Sequence, residues 1–455
     1  MTSKIVVNNI EADAGINTVT ISGDVTATNI TGAHHGSAAN LTSIPAAQLT
    51  GTVADARISA LTASKLSGAL PAISAANLTS IPAANITGTL PAISGANLTN
   101  LPASGKATNL VINGAMMVAQ RGTSSTSTAL ATVDRIYTAT NGVDEAPTFS
   151  QVDVASGTTP YTLGFRKAFR VTNGNQTSGA GTSDRIEIMM RLEAQDIANS
   201  GWNYTSTSSF ITFSFWIKSS VAQNFYGRIQ TQDGTQQRYA IETGSLTADT
   251  WTKITKTIPG NSNLQFDNNN AEGLRISLYG FLGTDYTDSS SLNTWAASAT
   301  GNRTQDNTST WYTTNDATLE FTGLQLEVGD TATDFAHERY QDTLLKCYRY
   351  FYAHKGPLWG EVSAGDHLDI ALYFPVPMRT SPSFTQVDTS LAYKNRLNQG
   401  NNTSGNIYSV SGGTNEYGAM WIARPASGSW DTQDGRHHYW HPPTGNTSYS
   451  WSAEL

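Results

Sequence analysis

Between Leu41 and Leu101 the apolar residues recur in a rhythm that neither a helix nor a flat strand produces. They fall at Leu41, Ile44, Leu49, Val53, Ile58, Leu61, Leu66, Leu70, Ile73, Leu78, Ile81, Ile86, Leu90, Ile93, Leu98 and Leu101. Repeat starts at Leu41, Ile58, Leu78 and Leu98 are 17, 20 and 20 residues apart. The wording repeats too, with AANLTSIPAA at 38–47 and 75–84 and ANLTNLPA at 96–103. Such a period marks an extended array. Prolines at 45, 71, 82, 91 and 102 remove backbone donors and exclude a continuous helix or coiled coil. An apolar spacing of about four residues excludes a flat alternating strand.

Only Asp55, Arg57 and Lys65 carry charge between Asn40 and Gly105. One thin chain cannot bury its own Leu/Ile row, and it lacks the charge to stay solvated. Self-association is the economical solution, with several chains wrapping that row around a common axis. Threefold symmetry is the natural arrangement, each parallel chain supplying one wall. The competing reading is a flexible Ala/Ser/Thr/Pro linker, which has no reason to keep Leu and Ile in register. Upstream, KIVVNNI and NTVTISGDVTATNI make residues 1–37 a small strand-rich element, read as an attachment end. The Asn-x-Thr triplets at Asn29, Asn40, Asn77, Asn85 and Asn97 serve turns and inter-chain bonds rather than glycosylation.

Composition excludes several classes. Lys+Arg 27 against Asp+Glu 35 gives a net charge of −8 and no footprint for nucleic acid. No apolar run approaches the ~18 residues of a membrane span. The start, MTSKIVVNNIEADAG, has no apolar core of a signal peptide, so synthesis in the cytoplasm is expected. Cys347 is the sole cysteine, so no disulfide framework is expected.

From Asn109 the aromatics begin. SSFITFSFWIKSS (208–220) alternates Ile211, Phe213, Phe215 and Ile217, a half-buried strand. WTKITKTI (251–258), LRISLYGF (274–281) and ATLEFTGLQLEV (317–328) are similar, and turn-rich loops separate them. An antiparallel sandwich is expected. RIEIMMRLEAQDIANSGW (185–202) suits either helix or strand. HERYQDTLLKCYRYFYAH (337–354) sets Tyr340, Leu344, Cys347, Tyr348 and Phe351 on one stripe and predicts a helix ended by Gly356-Pro357. Cys347 reads as a small core residue.

The last hundred residues are strand-rich, HLDIALYFPVP (367–377) alternating Leu368, Ile370, Leu372 and Phe374. Beyond it, Trp421, Trp430, Tyr439, Trp440 and Trp451 stand among Gly, Asn and Ser, with Arg436 and His437 beside them. Aromatic faces stack on sugar C–H faces while polar side chains bond hydroxyls, so these seven are the candidate glycan contacts. Packing of a small core is the competing use of each aromatic. His437, His438 and His441, like His34-His35, lack a partner at metal-ligand spacing, and neither a metal nor a cofactor is expected. Carboxylate pairs such as Asp366/Asp369 and Asp431/Asp434 lack diagnostic spacing, and no nucleophile or phosphate motif is present, so no enzyme is expected.

The KIVVNNI start, the Leu-Thr-Gly-type repeats (QLTGTVADARI, NITGTLPAI) and the strand-rich domains behind them resemble a bacteriophage tail fibre. NLVINGAMMVAQRG (109–122), SFWIKSS and LQLEVGDTATDF (324–335) resemble jelly-roll modules of phage fibres that are similar to carbohydrate-binding modules. FPVPMRTSPSF resembles a C-terminal tail-fibre motif. The resemblance implies a mostly β, elongated parallel homotrimer in the virion. Its N-terminus would meet tail or baseplate proteins, and its tip would meet host surface polysaccharide or lipopolysaccharide. The expected layout is an attachment element (1–37), repeat shaft (38–106), jelly-roll sandwich (107–336), connecting helix (337–355) and receptor-binding tip (356–455). A purely structural fibre, a glycan-degrading tailspike and a bacterial surface adhesin are the alternatives.

Overall fold

The computed structural model describes residues 6–8, 22, 26, 109–288, 291–354, 358–364, 367–386, 392–395, 401–403, 405–409, 414–425, 437–441 and 449–455. The expected shaft core, from Leu41, Ile44, Leu49, Ile58, Leu61, Leu66, Leu78, Ile81, Ile86 and Leu98 to Leu101, lies outside the described residues. The chain divides into two units, Met1–Ser94 and Gly95–Leu455, and every element described below belongs to the second.

Twelve strands build the sandwich: β1 (Ser124–Ser125), β2 (Tyr137–Asn141), β3 (Thr148–Asp153), β4 (Lys167–Thr172), β5 (Arg185–Glu193), β6 (Phe210–Ser219), β7 (Asn224–Thr231), β8 (Gln237–Ser245), β9 (Thr252–Pro259), β10 (Glu272–Leu282), β11 (Trp295–Ala297) and β12 (Thr318–Val328). They form two six-stranded sheets, β1-β3-β4-β12-β6-β9 (the first sheet) and β11-β8-β7-β10-β5-β2 (the second). All pairings between these strands are antiparallel. The ambiguous segment at 185–202 resolves into β5 followed by a short helix, α1 (Ala194–Ala198).

One core lies between the sheets. Ile211, Phe213, Phe215 and Ile217 from β6 and Phe321 from β12 meet Ile188 from β5 and Ile276 and Leu278 from β10. Each such side chain contributes about 1.5–3 kcal/mol on burial. Strand β6 is more covered than its alternation suggests, because Thr212 and Ser214 on its other face are buried as well. The cover is the segment after β12. Thr333 donates through its backbone N and Oγ1 to Glu327 at 2.9 and 2.6 Å, and the Ala336 amide donates to Gln325 at 2.8 Å. The first sheet therefore carries its own chain as a strap. Gly323 makes the β12 bulge at φ +65°, where a Cβ would stand 2.7 Å from the Phe165 ring.

The following helix is shorter than the stripe predicts. It spans Tyr340–Tyr348 (α2), with Cys347 buried and Tyr340 exposed, and β13 (Phe351–His354) replaces its last turn. Strand pairing explains the change: Phe351 to His354 register against Ser452 to Tyr449 of β23 (Tyr449–Ser452), and β16 (Ser383–Gln386) flanks the other side. Aromatic residues suit a paired, half-buried strand, and tertiary pairing overrides helical spacing.

The remaining sheet of the C-terminal region contains β14 (Leu358–Ala364), β15 (His367–Tyr373), β17 (Ala392–Asn395), β18 (Asn401–Thr403), β19 (Gly405–Ser409), β20 (Thr414–Asn415), β21 (Gly418–Pro425) and β22 (His437–His441). Its order is β18-β17-β22-β14-β15-β21-β19, with β20 paired to β21. Ile370 and Phe374 are buried while Tyr373 is exposed, as the alternation of that strand predicts. The protein is thus mostly β, with antiparallel sheets and few helices.

Candidate functional site

The outer face of the second sheet is polar, and register fixes its layout. Gln230 on β7 lies opposite Arg238 on β8 and Arg275 on β10, and Arg275 lies opposite Arg191 on β5. In the next row Arg228 opposes Ser277, and beyond it Tyr279 opposes Glu187. Successive strand side chains alternate between faces, so all of these point away from the Ile229/Ile276 core.

Over this face opens a cleft of about 300 Å³ lined by Arg228, Gln230, Gln232, Gln236, Arg275, Ser298, Ala299, Thr300 and Arg303. Three separate segments build it. The β7–β8 turn supplies Gln232 and Gln236, the sheet supplies the floor, and the chain after β11 supplies the wall. The Ser298 amide donates to the Gln236 carbonyl at 2.8 Å and ties wall to turn. Asn302 closes the wall as a tight loop, accepting from the Ala299 amide at 2.7 Å. Arg303 is fixed from behind, with its guanidinium 4.5 Å from the Tyr286 ring centre and its amide bonded to the Tyr286 carbonyl.

Hydrogen bonding in the cleft is incomplete. Gln230 Nε2 donates to Gln236 Oε1 at 2.8 Å and Ser298 Oγ at 3.1 Å, and Gln236 Nε2 donates to Gln232 Oε1 at 3.1 Å. Gln230 Oε1, Gln232 Nε2 and Arg228 Nε are shielded from solvent and have no hydrogen-bond partner among the described residues. A shielded donor or acceptor left alone costs about 1–3 kcal/mol. A sugar hydroxyl is no smaller than water, so it reaches these atoms only if the Gln230 and Gln232 side chains turn, whereas the other amide and hydroxyl groups lining the cleft face it directly.

The residues expected to bind glycan lie elsewhere. Trp451 is fully buried, its ring 5.5–5.9 Å from those of Tyr352, Phe374 and Phe384. It is therefore a core residue of the β13-β23-β16 sheet and offers no face to a ligand. Trp421 falls in β21, and His437, Tyr439 and Trp440 fall in β22, two strands of one sheet separated by β14 and β15. Trp430 and Arg436 lie outside the described residues. Cys347 is buried, and burial pushes its thiol well above the ordinary value, as suits a packing residue. Among the described residues, no group of three His, Cys, Asp or Glu is arranged to hold a metal ion.

No protein-family pattern and no characterised protein matches the chain in sequence. Solved structures align with about half of it. The enzymatically active domain of bacteriophage CBA120 tailspike protein 4 matches at 10% identity and TM-score 0.26, covering 49% of this chain and 21% of the tailspike chain. TmCBM61, solved with β-1,4-galactotriose, matches at 8% identity and TM-score 0.25, covering 50% of this chain and 100% of the module. The N-terminal cellulose-binding domain of Cellulomonas fimi β-1,4-glucanase C matches at 9% and 0.23, covering 48% and 99%. At such low TM-scores the cleft is judged on its own geometry.

Proposed function

We propose that this protein is a glycan-binding fibre of a bacteriophage, and that its sandwich holds host surface polysaccharide in the cleft on the second sheet. The observation that supports the saccharide reading is a cleft of about 300 Å³ lined by the Gln230, Gln232 and Gln236 amides and the Ser298 and Thr300 hydroxyls. The fibre reading draws on the repeats at 38–106 and the tail-fibre-like sequences on either side. In this reading the repeats form a parallel trimeric shaft, and the N-terminal element meets tail or baseplate proteins. Three weak sites per fibre then act through avidity. The sheet carrying Trp421, His437, Tyr439 and Trp440 would form a second contact at the tip. The protein binds its polysaccharide without cleaving it.

The test uses the purified full-length protein on a panel of bacterial surface polysaccharides, with Gln232→Ala/Gln236→Ala as the site variant. Retention by at least one polysaccharide, lost by about ten-fold in the variant, is expected from removing two hydrogen-bonding amides. No retention by any of them overturns the saccharide reading. Unchanged retention in the variant moves the site off the cleft. Light scattering that finds a monomer removes the trimeric shaft, and shortened polysaccharide after incubation overturns the non-cleaving reading.

A further inference from the structure

The cleft is cationic in a protein whose net charge is −8. Three of its lining residues are arginines, and none carries a carboxylate. The two carboxylates behind it each face several arginines at unequal distances, and Glu187 Oε1 has no hydrogen bond among the described residues. Glu187 is shared by Arg303 at 3.3 Å, Arg185 at 3.8 Å and Arg228 at 3.9 Å. Glu272 holds Arg275 at 2.6 Å and Arg191 at 3.8 Å. Five guanidinium groups thus share two glutamates. Among other acids, Asp288 faces Arg238, while Glu242 and Asp306 accept from the neutral Asn224 and Thr287 at 2.8 and 2.6 Å and keep their charge outside the cleft lining.

Separation matters as much as number. Arg275 is chelated by Glu272 through Nε and Nη2 at 2.6 and 2.8 Å, so its charge is largely answered. Among the described residues, the ion pair of Arg228 is 3.9 Å long, and its Nε has no hydrogen-bond partner. The Arg228 side chain is 6% exposed and that of Arg303 12%, so water answers little of their charge. A poorly hydrated guanidinium binds an anionic oxygen more strongly than a neutral hydroxyl.

Resting on the glycan-binding reading above, we infer that the ligand of this cleft is an acidic polysaccharide. A carboxylate or phosphate ester on the sugar pairs with Arg228 and Arg303, and neighbouring hydroxyls meet the Gln230 and Gln232 amides. Neutral glycans satisfy the amides alone and bind more weakly.

Two matched pairs of polymers test this with the full-length protein. Polygalacturonate is set against the same polymer after carboxyl reduction, and dextran phosphate against dextran. Tighter retention of an acidic member than of its neutral partner, by about ten-fold or more, is expected from a charge-assisted contact. The pair that shows it identifies carboxylate or phosphate as the group bound. Equal retention of acidic and neutral members overturns the acidic assignment and leaves the glycan-binding reading standing. Retention of none of the four overturns both. Arg228→Gln/Arg303→Gln should remove the preference, so that the acidic and neutral members of a pair are retained equally. Should that variant fail to fold, salt gives the same answer with unaltered protein: retention of the acidic polymer should fall several-fold between about 50 and about 300 mM NaCl, and that of its neutral partner should hold. A salt-independent preference overturns the inference.

Discussion

The two ends of the second sheet's outer face are both rich in arginine, yet they do opposite things. At one end the C-terminal region is clamped on. Arg349 bonds Glu193 through Nε and Nη2 at 2.7 and 2.8 Å, and Tyr350 OH adds a third bond to Glu193 at 2.6 Å. Burial works to raise Glu193, but these bonds hold its carboxyl below the ordinary value. Glu454 is paired by Arg135 and, at 3.0 Å, by Arg121, while Arg379 donates to the Ala453 and Glu454 carbonyls at 2.7 Å each. Arg135 and Arg121 also lie 3.5 Å over the rings of Tyr350 and Phe351. At the cleft end the ion pairs to Glu187 are longer, 3.3 Å for Arg303, 3.8 Å for Arg185 and 3.9 Å for Arg228. Neither end is fully satisfied, since Arg121 Nη1 and Arg135 Nε at the clamp lack a hydrogen bond as Arg228 Nε does. Contact length distinguishes the two ends, and residue type does not.

That contrast can be broken from either side. Trp451→Ala should have the largest effect, about 3–5 kcal/mol lost from the C-terminal region in urea unfolding, with polysaccharide retention unchanged. Loss of retention alongside would tie the cleft to the clamp. Glu193→Gln should cost about 3 kcal/mol by leaving the Arg349 guanidinium without its anion, read from the unfolding midpoint.

Asp134 provides a pH test of the clamped end. Burial raises its carboxyl to about 6, against the pull of Arg121 and of the Gln120 hydrogen bonds. Because the folded value exceeds the unfolded one, the unfolded chain loses this proton first as pH rises. Stability from this group therefore falls between about pH 4 and 6, by roughly 2–3 kcal/mol, and is level above. Asp134→Asn should flatten that slope in denaturation measured across the window. Smallest of all, Arg303→Gln should cost about 1–2 kcal/mol, since it removes the hydrogen bond to buried Glu187 while two other arginines stay 3.8 and 3.9 Å from it. A larger loss would show that the cleft arginines hold the fold together as the clamp does.

Much of the scaffold is legible in the sequence. The alternation of Ile211, Phe213, Phe215 and Ile217 marks β6, and Ile370 in β15 and Phe374 just after it mark one buried side, because period-two patterns are local. The end of the helix is not legible, since Phe351–His354 become a strand only by pairing with residues a hundred positions away. Trp451 sits in SYSWS, where Tyr449 and Trp451 alternate with serines, a strand signal that its glycine- and asparagine-rich surroundings obscure. The cleft is the least legible part. Gln232, Gln236, Ser298 and Arg303 each read locally as polar loop, and only the cross-strand register puts them beside Arg228 and Gln230. No spacing along the chain encodes that meeting.

The Glu454 clamp also sets a timetable. Its partner Arg121 stands 333 positions earlier in the chain, so this contact cannot form until nearly all of the described sequence has left the ribosome. The sandwich can assemble first, since its strands end at Val328, but the arginines at its clamped end wait in solvent for the final strand. A chain cut short before Glu454 would display Arg121 and Arg135 without that carboxylate, a basic spot that the later residues cover.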